Sequence, residues 1–147
     1  MFITPEVAYV CELLHKYDVL PLECDGHTMV VSCLLDRFCI PHQRIVGEVT
    51  LAGTGQIIRP HLWIEYDEYI IDYRLRMWAR KTEDNVSLVP HGIFIEDKSQ
   101  AIYTAQRIAN KAMISDSIID FMTDGLWTKI LLGKVRISRS FLPKLTR

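Results

Sequence analysis

Residues 22–47 read LECDGHTMVVSCLLDRFCIPHQRIVG, and the helix they encode decides the rest of the fold. From Cys24 or Asp25 to about Phe38, the positions Met29, Val30, Val31, Cys33, Leu34, Leu35 and Phe38 leave almost no polar side. That pattern predicts a helix buried centrally. Pro21 disfavours helix at Leu20, and Pro41 cannot continue the ladder, so the run is punctuated at both ends. One thiol stands at the start of this helix, one in its middle and one just past its end.

Upstream, Pro5 to about Lys16 suits a first helix, with Val7, Val10, Leu13 and Leu14 at helical spacing and proline in the opening turn. Downstream the pattern changes. RIVGEVTL (44–51) is a strand candidate, AGTGQ (52–56) a turn, and HLWIEYDEYIIDY (61–73) a hairpin with Asp67-Glu68 at its tip. HGIFIE (91–96) is a further strand. Residues 98–112 place Ala101, Ile102, Ala105, Ile108, Ala109 and Ala112 at helical spacing, which predicts an amphipathic helix. A last helix is expected from Ser115 to about Leu132, weakened at Gly125. The order of elements predicts an α+β fold with a mainly antiparallel sheet and additional C-terminal helices.

The 147 residues have the size of one domain, 1–147, with a core at about 22–96 and C-terminal helices and a basic tail over 98–147. Apolar residues make up 49% and charged ones 24%, which excludes disorder, and a net charge of −1 points to neither nucleic acid nor an anionic membrane. From Gly125 onward Lys129, Lys134, Arg136, Arg139, Lys144 and Arg147 meet no acidic residue. This segment is either a solvated cationic tail or a docking surface for an acidic partner or a second copy. No basic leader precedes an apolar stretch, and no run approaches the ~18–20 residues of a membrane span. Cys11, Cys24, Cys33 and Cys39 are therefore expected as free thiols in a reducing compartment, the cytoplasm.

A thiol is a nucleophile only as its thiolate, and a helix N-terminus is one of the few metal-free places that favours that form. Cys24 alone stands at a helix start; Cys11 and Cys33 are mid-helix and expected to be packing residues. Asp25 opposes a thiolate, so an activating base is needed, with a third group to orient it. Among His15, His27, His42, His61 and His91, the hairpin singles out one. With a two-residue turn, Tyr66 faces Tyr69, Ile64 faces Ile71 and Trp63 faces Asp72. One face then carries His61, Trp63, Glu65, Ile70, Asp72 and Arg74. His61 and Asp72 become diagonal neighbours about 7–8 Å apart, within reach of a carboxylate–imidazole contact. A one-residue slip would separate them.

The ordered set Cys24, an apolar helix, Cys39-Ile40-Pro41, Arg44, Gly47, His61-Leu62-Trp63-Ile64-Glu65 and Asp72 resembles the transglutaminase-like core, a branch of the papain-like cysteine enzymes. The resemblance covers about residues 22–73. Cys24 lies fifteen residues before Cys39, which takes the slot of the family's Gly, and Asp36 stands where the family often has Arg. The resemblance implies a Cys24-His61-Asp72 triad and acyl transfer from an amide or peptide bond, as in a cysteine peptidase, deamidase or transglutaminase. Protein or peptide substrates are implied, with neither metal nor cofactor. The Cys24 backbone N–H is the natural oxyanion donor. Trp63 either walls the cleft or packs beneath the helix; His27 either lines the cleft or is exposed; His91 is open in the same way. Two other readings compete. Cys24-x-x-His27 and Cys39-x-x-His42 resemble zinc ligands, but the helix would hold the pairs roughly 20 Å apart. A catalytically inactive protein-interaction module would keep the fold and only bind.

Overall fold

The computed structural model describes residues 4–80, 88–111 and 114–131. The chain divides into two compact units, one of residues 21–113 and one of residues 1–20 with 114–147. The larger unit is α+β. It contains α2 (Cys24–Arg37), β1 (Gln43–Leu51), β2 (Ile57–Tyr66), β3 (Tyr69–Asp72), α3 (Leu75–Trp78), β4 (Gly92–Ile95) and β5 (Ala101–Ile108). The strands form one antiparallel sheet in the order β4-β3-β2-β1-β5.

Helix α2 packs against β2 and β1 through a stripe of Cys24, His27, Thr28, Val30, Val31, Leu34 and Leu35. Its other side is not submerged as the composition suggested: Asp25, Asp36 and Arg37 are exposed, while Met29 and Cys33 are half-buried. The helix closes with Ile40 N–H bonded to the Leu35 carbonyl and Cys39 N–H to that of Asp36. This closure requires a left-handed residue. Cys39 supplies it at φ 55°, so the slot where the resemblance expects glycine has that backbone conformation without that residue.

The β2–β3 hairpin has the expected register, Tyr66 opposite Tyr69 and Ile64 opposite Ile71, with Asp67 at φ 51° making the tight turn. Gly47 of β1 lies between His61 of β2 and Ala105 of β5. A Cβ there would stand 2.2 Å from the Thr104 carbonyl oxygen and 2.6 Å from the Trp63 ring. One core cluster gathers Ile45, Val49, Leu51, Ile58, Trp63, Ile70, Leu75, Val89 and Ala101.

Two expectations are corrected. The segment 98–112 is not an amphipathic helix: residues 101–108 form strand β5, paired along β1 from Leu51↔Ala101 to Ile45↔Ile108. The sheet's core therefore extends past residue 96. A turn in which Asp97 accepts from Ser99 N–H and Oγ starts the strand. As an edge strand, β5 buries only Ala101 fully, so no clean alternation marks it. The expected single helix from Ser115 is two helices, α4 (Asp116–Met122) and α5 (Leu126–Leu131). Asp124 and Gly125 turn left-handed between them.

The second unit holds α1 (Pro5–His15), α4 and α5. Thr4 caps α1, its hydroxyl accepting from Val7 N–H, and Ser115 caps α4 in the same way. Val10, Leu13, Leu14, Ile119 and Trp127 are buried. Among the described residues no helix is long and apolar enough to cross a membrane. The basic tail expected beyond Leu131, with Lys134, Arg136, Arg139, Lys144 and Arg147, lies outside the described residues.

Candidate active site

Three elements of the larger unit bring Cys24, His61 and Asp72 together. Cys24 is the first residue of α2, and Glu23 caps the helix without a side-chain hydrogen bond. The first-turn N–H groups thus meet no capping carboxylate, which leaves a positive helix end at the sulfur. His61 comes from the middle of β2 and Asp72 from the end of β3. Strand alternation and the two-residue turn put both side chains on one face. His61 Nε2–H donates to Asp72 Oδ2 over 2.7 Å, and both residues are buried.

Asp72 is held from four directions. Its Oδ1 accepts the backbone N–H groups of Arg74 (2.9 Å) and Leu75 (3.0 Å), the N-cap and first residue of α3. Its Oδ2 accepts from His61 and from the Tyr103 hydroxyl of β5 at 2.9 Å. A buried carboxylate is tolerated when its lone pairs are satisfied in this way.

With Nε2 committed to Asp72, the other ring nitrogen of His61 is left for the thiol. Nδ1 is buried and makes no well-aligned hydrogen bond, yet the Cys24 sulfur lies within interaction range of the ring. A loose contact of this kind is common before substrate binds. Burial by itself pulls the His61 pKa down. The hydrogen bond to Asp72, the loose contact with Cys24 and the charges of both overcome it and push it up to about 9. The surroundings of the ring therefore favour its taking up a proton. Cys24 retains a small opening to solvent, at 8% exposure, while His61 has none.

Two arginines complete the frame. Arg44 at the start of β1 pairs with Asp25 and donates from Nε to Thr28 Oγ1 at 2.9 Å. The carboxylate expected to oppose a thiolate is thereby given a counter-charge. Arg74 is buried and donates to the Leu22 and Tyr73 carbonyls. It ties the chain two residues before Cys24 to the chain two residues after Asp72. Neither contact nor the Tyr103 hydroxyl was foreseen, because each joins segments with no pattern in common.

The two residues expected to bind substrate, Trp63 and His27, both lie in the interior. Trp63 is completely buried, edge-on to Tyr103 at 5.0 Å between ring centres, and its ring lies 6.3 Å from that of His61. It packs between the imidazole and the Tyr103 ring. His27 is also buried, at 2% exposure, with its ring 5.6 Å from Tyr73. His91 faces the same tyrosine at 5.2 Å. His42 is separate: Nδ1–H donates to the Ile40 carbonyl, and Nε2 bonds the Ser32 hydroxyl at 2.7 Å. All four cysteines are free, with Cys11 and Cys33 half-buried and Cys39 exposed. Compared with protein-family models, curated proteins and solved structures, the chain matches none.

Proposed function

We propose that the larger unit is a papain-like, transglutaminase-like module that carries out thiol-dependent acyl transfer from an amide or peptide bond. The observation that carries this reading is the 2.7 Å His61–Asp72 bond beside a cysteine that opens a helix. The Cys24 proton passes to His61 Nδ1, making an imidazolium that Asp72 stabilises, and the sulfur attacks the carbonyl carbon. First-turn N–H groups of α2 face the developing oxyanion. As the C–N bond breaks, His61 returns the proton to the leaving amine and a thioester remains on Cys24. Water or a second amine then attacks the thioester and frees the thiol. Asp72 keeps the imidazole in the tautomer with Nε2–H, so that Nδ1 can accept. The substrate class is proteins or peptides.

Incubation of the full chain with a peptide panel, read by intact mass, tests this. The expected result is an acyl adduct on Cys24 that Cys24→Ala abolishes without lowering thermal stability. Preferential labelling of Cys24 by iodoacetamide near neutral pH, against the exposed Cys39, is expected as well. An inactive binding module predicts neither adduct nor preference. Full turnover by Cys24→Ala protein would end the assignment.

A further inference from the structure

Strand β5 brings a fourth polar group to Asp72. The Tyr103 hydroxyl lies 2.9 Å from Oδ2, the oxygen that also accepts from His61. The phenol ring is fixed by its neighbours: edge-on to Trp63 at 5.0 Å and 6.0 Å from Phe94. Its backbone N–H donates to Glu96 Oε1 at 3.3 Å. Burial first, then the charges and hydrogen bond of Asp72 and the charge of Glu96, hold the phenol far above its ordinary range. It is therefore a hydrogen-bond donor at any working pH. We propose that Tyr103 is a positioning residue that acts through Asp72: its hydroxyl holds Oδ2 against His61 and limits how tightly the carboxylate binds the imidazolium.

A carboxylate oxygen that accepts two hydrogen bonds concentrates less charge on either donor than one that accepts a single bond. With the hydroxyl present, Asp72 orients His61 without trapping its proton. With the hydroxyl removed, Oδ1 stays anchored by Arg74 and Leu75 N–H, and the whole charge of Oδ2 turns to Nε2. The titratable groups that act on His61 are Cys24 from α2 and Asp72 at the end of β3, with Tyr103 from β5 bonded to Asp72. Glu96 stands behind Tyr103. Only Tyr103 and His61 bond Asp72 Oδ2 among the described residues. The inference rests on the Proposed function for its catalytic meaning, but its measurement needs no substrate.

The test is the titration of His61 by NMR of its ring nitrogens in the full chain. Tyr103→Phe keeps the packing surface and removes one oxygen. The His61 midpoint is expected to rise by roughly half a unit to one unit. Site-specific 3-fluorotyrosine at 103 makes the hydroxyl a stronger donor and is expected to move the midpoint down, which keeps the test decisive if the phenylalanine variant folds poorly. In an Asp72→Asn background, Tyr103→Phe is expected to leave the midpoint in place, since the effect is routed through the carboxylate. If the peptide assay yields adducts, Tyr103→Phe is expected to lower kcat several-fold at constant KM. An unchanged or oppositely signed shift overturns the inference; absence of any Cys24 adduct overturns the Proposed function and leaves the His61 shift standing.

Discussion

Replacing Asp72 by Asn is the sharpest perturbation of the site, because it keeps the shape and changes one acceptor into a donor. Oδ1 receives two backbone N–H groups, and Oδ2 receives His61 and Tyr103. A carboxamide has a single acceptor oxygen. Keeping it on the two backbone groups points the NH₂ at His61, which then must accept at Nε2 and carry its proton on Nδ1. That is the wrong tautomer for the proton transfer from Cys24 proposed above. The stability consequence follows from the His61 pKa, raised from 6.5 to about 9. A group whose folded pKa is raised stabilises fully below its unfolded pKa and loses that contribution as pH climbs through the folded value. At 1.36 kcal/mol per unit, the contribution is about 3 kcal/mol at about pH 6 and is gone above about pH 9. In the variant the carboxylate is absent and burial favours the neutral ring, so acidification through the unfolded pKa destabilises it. Urea unfolding of both proteins at about pH 6 and about pH 9.5 is expected to show a gap of about 3 kcal/mol at the lower pH, shrinking at the higher. A gap that is equal at both, or wider at high pH, would refute the assigned roles of Asp72 and His61.

Two other substitutions probe the frame. Gly47→Ala places a methyl against the Thr104 carbonyl and the Trp63 ring, and overpacking of that kind costs about 3 kcal/mol. The thermal midpoint is expected to fall by roughly 10 °C; an unchanged midpoint would mean that β1 can shift away from β5. Cys39→Gly relieves the left-handed conformation at φ 55° and is expected to stabilise by about 1 kcal/mol in a thermal or denaturant scan. Loss of stability there would show that the thiol makes a contact worth more than the backbone strain.

Much of the site was legible along the chain because short-range rules govern it. Prolines at 21 and 41 bounded α2, its apolar residues marked it as a core helix without separating its buried from its exposed side, and the position of Cys24 at its start followed. The turn at Asp67-Glu68 set the hairpin register, and alternation then put His61 and Asp72 on one face. The same local logic misled where an element's role depends on its neighbours. Residues 101–108 have alanines at helical spacing, yet they pair with β1 because that hydrogen-bonded edge and the Trp63–Tyr103 packing outweigh a weak helical preference.

What the sequence alone determined is the order of elements around one helix and one hairpin, with the three chemically complementary side chains each at a position of fixed direction. Tertiary structure decided which groups support them. Tyr103 reaches Asp72 across thirty-one residues of chain, Arg74 reaches Leu22 across fifty-two, and Arg44 reaches Asp25 across nineteen. It also put Trp63 and His27 in the interior. Periodicity and turn chemistry act within a few residues, whereas a buried carboxylate's partners are chosen by whichever donors the packed sheet delivers to it.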